Sequence, residues 1–405
     1  FQMSPHQPAR LVDFLLFNGV EVEKADRGFS LDGVEYPKGT YIVWLDQPKR
    51  GLANVILDDG LDLSDIPGLY FYSPPSVWSH PLLWGVSRAV MAEKLAVKTS
   101  TINKADAPQG SSEGGQATAY AYLPTSIAAF KATNALLARG VELHRAPGSF
   151  TDSDRQIGAG AIIVPGDPAL ANELANQFAL EVLALEGLPE GAVRMKRQRI
   201  AVYGDEGVVH CLKTLGFDHD EVSTSDLNAG VIDGYDVFIN RDLRWSSLDT
   251  NGQASMVAWL AAGGDYVGLG SRGRAIDFVV DAGFVNADYE YISGNAIVKV
   301  DYEPNDSVAG GFREDGHAFV YRSVWFTDWD DMDVSAHLDD GAFLVSGFWE
   351  DWPTSGAAGM PIVVHGENGA EGLQDSILIG FDPTFRGHPE DSFRMVGNAI
   401  YTGLD

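Results

Sequence analysis

The sequence predicts an α/β protein in which two small duplicated α/β modules precede a parallel-sheet domain carrying a β-rich insertion. Three observations predict it. Leu15, Leu16, Gly19, Val20, Glu21, Ala25, Phe29, Gly39, Ile42, Val43 and Asp46 recur without a gap as Leu136, Leu137, Gly140, Val141, Glu142, Ala146, Phe150, Gly160, Ile163, Val164 and Asp167, a constant offset of 121 residues. Fixed-period self-similarity marks duplicated structural units. From residue 200 strand and helix patterns alternate, as in a parallel sheet, and from residue 286 the pattern turns β-rich.

Each copy reads in the same order. An amphipathic helix holding the Leu-Leu pair ends at a glycine, and a short strand follows over 20–23 or 141–144. After a loop come a β-rich run, 40–45 or 161–165, and a second helix, near 51–57 or 169–181. The first copy with an aromatic, Pro-rich extension over 70–78 spans 1–98, and the second spans 117–190. Between them, 99–116 is rich in Ser, Gly, Ala, Gln and Asn. That composition has little to bury and reads as a flexible connector.

The last domain, 196–405, follows a basic cluster over 194–199. Its expected elements are a strand 200–203, helix 208–215, strands 220–223 and 235–240, helix 253–262 and strand 266–269. Five β-rich segments follow, 296–302, 318–324, 342–347, 361–365 and 376–381, and a helix over 392–401 closes the chain. A chain of 405 residues exceeds what one core serves. With 45% hydrophobic residues, including 20 Phe, 14 Tyr and 9 Trp, it has ample side chains to fill several.

Composition also excludes partners. The formal charge of −29, from 57 acidic and 28 basic residues, repels polyanions and so argues against nucleic acid and anionic membrane surfaces. No apolar run approaches the roughly 18 residues of a membrane span. The acids are dispersed, as on a solvated surface suited to high salt or an extracellular setting. One cysteine, Cys211, rules out an internal disulfide, and its helical context makes it a small core residue. A start at Phe1, with no charged-then-apolar leader, gives the expectation that the chain was cut from something longer.

Few motifs bear chemistry. Gly268, Gly270 and Gly273 satisfy a Gly-x-Gly-x-x-Gly spacing, but a dinucleotide fingerprint belongs after the first strand of its unit, whereas this turn follows the fourth. The same turn occupies the place of the nucleophile elbow in a class I glutamine amidotransferase-like domain, a strained strand-to-helix turn that exposes Cys or Ser. The elbow position here is Gly270. Its neighbour Ser271 misses the Gly-x-Ser-x-Gly pattern because residue 269 is Leu. His365, Asp382 and His388 are the available bases, and Ser271 with His365 is the remaining pair for hydrolase chemistry. With no nucleophile to activate, these bases read as structural.

Asp328, Asp330, Asp331 and Asp333 form the densest carboxylate patch, a weak calcium candidate, since hard cations take carboxylate oxygens. The EF-hand order is absent, which favours a solvated loop. No two histidines stand at helical zinc-ligand spacing. The residues therefore supply no cofactor-binding or metal site.

Two further stretches resemble one family. Trp78-Ser79-His80-Pro81-Leu82-Leu83-Trp84-Gly85-Val86, preceded by Leu45-Asp46-Gln47-Pro48, and the ending Phe381-Asp382-Pro383-Thr384-Phe385-Arg386-Gly387 to Asn398-Ala399-Ile400-Tyr401 resemble the region after the catalytic domain in large secreted zinc carboxypeptidases of the M14 peptidase family. The resemblance is collinear over nearly the whole chain and includes Gly294-Asn295-Ala296-Ile297 and Leu344-Val345-Ser346-Gly347. It implies a secreted or cell-surface setting and a last domain of flavodoxin-like, class I glutamine amidotransferase-like fold with no evident amidotransferase site.

The departure is large. Zinc in that family is held by His-x-x-Glu and a distant His, with a further Glu as general base. None of the 9 histidines here begins a His-x-x-Glu. The resemblance thus implies a non-catalytic accessory or binding region, with zinc and hydrolysis belonging to a peptidase domain of the same precursor. Two other readings are a structural, self-associating surface protein built on the same scaffold, and an amidotransferase-like hydrolase using Ser271 and His365.

Overall fold

The computed structural model describes residues 5–69, 79–92, 95–270, 272–291, 294–330, 332–367 and 375–402. The duplication is visible in three dimensions. Helix His6–Phe17 and helix Ile127–Ala138 are each 12 residues long and occupy equivalent places in the repeat. The hairpins Phe29–Leu31/Val34–Tyr36 and Phe150–Asp152/Arg155–Ile157 correspond likewise. In the first hairpin Asp32 and Gly33 have φ of 50° and 81°, the left-handed pair that a two-residue turn between twisted strands demands. These hairpins lie where the sequence reading placed only a loop.

The first module is a three-stranded antiparallel sheet in the order Tyr41–Ile42, Glu23–Ala25, Thr99–Thr101. The second is six-stranded, in the order Val193–Arg194, His144–Arg145, Ile162–Pro165, Ala119–Tyr122, Glu181–Leu185, Ser111–Ser112. The expectation of a flexible connector over 99–116 is therefore corrected, because Thr99–Thr101 and Ser111–Ser112 pair into the two sheets. Polar edge strands bind through backbone groups, which composition does not record. Helix Pro168–Phe178 starts on an Asp167 cap and ends before the strand Glu181–Leu185, so the expected helix end at 181 is in fact extended chain. The aromatic stretch 70–78 lies outside the described residues.

In the last domain five parallel strands run in the order Asp220–Glu221, Ile200–Tyr203, Val237–Asn240, Asp265–Leu269, Asp375–Ile379. The β-rich insertion continues this sheet antiparallel through Pro361–Glu367, Asp333–Leu338, Gly294–Tyr302 and Asp315–Tyr321, with Leu344–Trp349 also on Gly294–Tyr302. Side chains alternate across the pleat. Val202, Ile239, Val267 and Ile379 pack with helices Glu206–Leu215 and Phe393–Thr402 in one core. Ala201, Phe238, Tyr266 and Leu378 pack with helices Thr250–Ala261 and Arg274–Asp281 in another. Helices on both faces of a parallel sheet make this a doubly wound α/β domain.

The units are fastened together by buried polar groups. Arg145, 3% exposed, donates to the carbonyls of Asn398 at 3.0 Å and Ser307 at 2.6 Å. Asn398 in turn donates to the carbonyls of Val308 and Gly310. Burial pushes the Arg145 guanidinium down to about 10. From the first module, Leu63 N–H donates to the carbonyl of Gly347 in the insertion at 2.8 Å.

Candidate functional site

In an open parallel sheet, ligands gather in the crevice beyond the carboxyl ends of the strands. Here the loops after Tyr203, Asn240, Leu269 and Ile379 deliver Asp205, Arg241, Asp242, Gly270 and Asp382 to that edge. Arg241 is the hub. Its Nη2 and Nε donate to Asp382 Oδ2 at 2.7 and 3.1 Å, and its Nη1 contacts Asp242 and, at 3.3 Å, Asp205. Arg274 Nη1 reaches the other Asp242 oxygen at 3.3 Å. Burial weakens the Arg241 charge, but Asp382, Asp242 and Asp205 outweigh it and raise its pKa.

Asp382 is 1% exposed, and its second oxygen accepts from Thr384 N–H at 3.0 Å and Thr384 Oγ1 at 2.9 Å. Both oxygens are engaged, so Asp382 is a structural anion rather than a waiting base. Beneath it, buried Asn240 donates to Tyr266 Oη at 2.9 Å, and that hydroxyl donates to the carbonyl of Ala275 at 2.6 Å. Asp205 meanwhile caps helix Glu206–Leu215. The crevice is filled by an ion network that holds four loops together.

Gly270 occupies the elbow, and its surroundings explain the residue. A Cβ there would lie 2.4 Å from the Ile379 carbonyl oxygen and 2.7 and 2.8 Å from Gly380 backbone atoms. Its φ is not left-handed, so space rather than torsion demands glycine. Gly270 N–H also donates to Ile379 O at 2.5 Å. A nucleophile-bearing side chain does not fit this position.

Ser271 lies outside the described residues. His365 pairs with Ile377, and Ile377 pairs with Val267, which puts the histidine level with a residue three positions before Gly270. At about 3.3 Å per residue it stands roughly 10 Å along the strands from the elbow. There its Nε2 hydrogen-bonds Asp306 Oδ2 at 2.6 Å. Burial works against the Asp306 charge, but His365 and the backbone N–H groups of Val308 and Ala309 hold its pKa below the usual carboxylate range. His388 is packed edge-on to His80 at 5.1 Å, and burial, with His80 and Arg10 nearby, lowers it to about 4, leaving it neutral. Burial raises the Cys211 thiol well above its ordinary range, with the Asp382 charge adding to it.

Asp328 ends one strand and Asp333 begins another, with Asp330 between them at a φ of 49° and its N–H on Asp328 Oδ1 at 3.3 Å. Asp331 lies outside the described residues. Among the described residues no group of three or more His, Cys, Asp or Glu is arranged to hold a metal ion. Sequence reasoning missed Arg241 and Asp306. Their partners are 141 and 59 residues away, beyond any local pattern.

No family model matches the chain, and no curated protein matches it. Among solved structures it is similar to a protein from Thermoplasma acidophilum described as a GMP synthase subunit, at 13% identity over 51% of this chain and 96% of that one, with a TM-score of 0.35. A ThuA-like protein from Bacteroides uniformis matches at 15% identity over 54% and 95%, with a TM-score of 0.32. The cold-adapted β-galactosidase of Rahnella sp. R3 matches at 14% identity over 57% and 34%, with a TM-score of 0.33. The α/β class rests on the strand order, five parallel strands with helices on both faces.

Proposed function

We propose that this chain is a non-catalytic accessory or binding region of a secreted M14-type zinc carboxypeptidase, with peptide hydrolysis belonging to a peptidase domain of the same precursor. The observation that carries the non-catalytic half is Gly270, where neighbouring backbone leaves no space for a nucleophile. The family half rests on the collinear motifs around His80 and Asp382. Both structure the molecule: His80 is buried against Trp84 and His388, and Asp382 anchors the crevice.

The test has two parts. The purified chain, assayed with zinc against C-terminally blocked and free peptides and against glutamine, is expected to turn over none of them. The coding sequence upstream of Phe1 is expected to contain a His-x-x-Glu motif. Stoichiometric zinc with carboxypeptidase turnover by the isolated chain overturns the reading. A leader joined directly to Phe1, with concentration-dependent self-association, favours the structural alternative.

A further inference from the structure

One concave site lies away from the crevice, where all three units meet. It is a cavity of about 420 Å³, within the range of small-ligand sites. Gln7 and Arg10 come from the first module, Lys131 from the second, and Glu390 and Arg394 from the last domain. The lining holds three permanent cations and one acid, inside a chain of net charge −29, and Arg394 already donates through Nη2 to Asp391 at 2.6 Å and through Nη1 to the carbonyl of Gly311 at 2.7 Å. Arg10 is held by Glu390 and lies 4.5 Å over the Trp84 ring, while Lys131 has no acidic partner among the described residues.

Two helices also begin at this wall. Gln7 is in the first turn of His6–Phe17, whose Pro5 cap offers no side-chain acceptor, and Ile127 and Ala128 open Ile127–Ala138, where the Ser126 cap takes up the Ala129 N–H. Helix N-termini carry partial positive charge and free N–H groups. Two buried polar atoms of the lining are left over among the described residues, the Arg394 Nε donor and the Gln7 Oε1 acceptor. Arg394 is 6% exposed, so its unused donor is not met by bulk water.

We infer that this cavity binds a small carboxylate that also carries a hydrogen-bond donor and an apolar body, namely an amino acid or the free C-terminus of a short peptide. The carboxylate is met by Lys131 and the unused Nε of Arg394, its donor by Gln7 Oε1, and its apolar part by Ile127, Ala128 and Trp84. The site exists only when the three units are docked, since each supplies part of the lining. The inference uses only the cavity's own residues and stands apart from the carboxypeptidase reading.

The test is calorimetric titration of the full chain with N-acetyl-glycyl-leucine, its C-terminal amide, free leucine and inorganic phosphate. Saturable binding of the peptide acid or of leucine is expected, with the amide weaker by about tenfold or more, as loss of a charge-assisted contact requires. Lys131→Gln, at an exposed position, is expected to weaken binding by about tenfold while the chain stays folded. Ala128→Glu, which puts a carboxylate into the wall, is expected to abolish it. Equal binding of acid and amide, binding indifferent to both variants, preference for phosphate, or no binding up to about 10 mM overturns the assignment.

Discussion

Replacing Gly270 by alanine is the most direct probe of why the elbow is empty. The added Cβ starts 2.4 Å from Ile379 O and must reach at least 3.0 Å before it resembles any real contact. The obstructing atoms cannot retreat freely. Ile379 O accepts from Gly270 itself, Gly380 N–H donates to Ile362 O at 2.7 Å, and Gly380 O accepts from Val324 N–H at 2.8 Å. An opening of about half an ångström must therefore break or stretch hydrogen bonds on both sides of a central strand. Overpacking of a well-filled core costs about 1–3 kcal/mol, and a purely backbone collision belongs at the upper end, about 3 kcal/mol. Urea unfolding followed by emission of the buried Trp259, Trp325 and Trp349 reads this, with Gly51→Ala as control. Gly51 is exposed in helix Arg50–Leu57 with nothing within 4 Å of its Cβ position, so its replacement should stabilise by about 0.5–1 kcal/mol. A Gly270→Ala cost below about 1 kcal/mol, or Gly270→Ser that folds normally and hydrolyses glutamine, refutes the steric account.

Asp382→Asn leaves Arg241 in a largely buried setting without its main partner, and removing one member of a buried pair costs about 3–5 kcal/mol; the remaining Asp242 and Asp205 put the expectation at the lower end, and pairing the change with Arg241→Met should cost less than the sum of the two, as a double-mutant cycle by denaturant unfolding would report. His388 titrates near 4 when folded against 6.5 as its ordinary value. The unfolded chain therefore takes up its proton first as pH falls, and stability is lost between pH 6.5 and 4, by about 3 kcal/mol at one pKa unit per 1.36 kcal/mol. His388→Gln should flatten that part of the stability profile relative to the parent. Asp306→Asn removes the charge held by His365 and should destabilise the insertion most above pH 4, a difference that vanishes as acid protonates the parent's carboxyl. The Cys211 thiol, fully buried and raised in pKa, should not react with a thiol reagent until the protein is unfolded, when one equivalent appears.

The parts of this fold that repeat or alternate were readable from sequence. Leu15 and Leu136 stand at equivalent places because both helices bury the same stripe, and Val202, Ile239 and Val267 advertise central strands through unbroken apolar runs. What escaped reading is of two kinds. Short polar strands such as Thr99–Thr101 and Ser111–Ser112 pair by backbone alone, so their Ser and Thr side chains look like those of a loop. Buried polar contacts such as Arg145 with Asn398 and Ser307, or Arg241 with Asp382, join residues between 141 and 253 positions apart. Gly270 was legible as a missing nucleophile, but the reason for it, a carbonyl 2.4 Å from the absent Cβ, belongs to the pairing with Asp375–Ile379.

The distribution of charge gives the two concave regions opposite characters. At the sheet edge, Arg241 and Arg274 are met by Asp205, Asp242 and Asp382, and both Arg241 donors facing Asp382 are already taken up by its carboxylate. A ligand entering there would have to displace a buried ion pair, whose separation costs more than most single contacts return. At the junction of the three units Arg10 and Arg394 are likewise paired, with Glu390 and Asp391, but Lys131 has no acidic partner among the described residues, and Arg394 Nε and Gln7 Oε1 are left over there. Binding there would complete hydrogen bonds rather than break them. A scaffold whose crevice is locked and whose interface is electropositive is suited to recognise an anion without transforming it, and the same bond would clasp the duplicated modules to the last domain, since a ligand that binds only the docked form stabilises it.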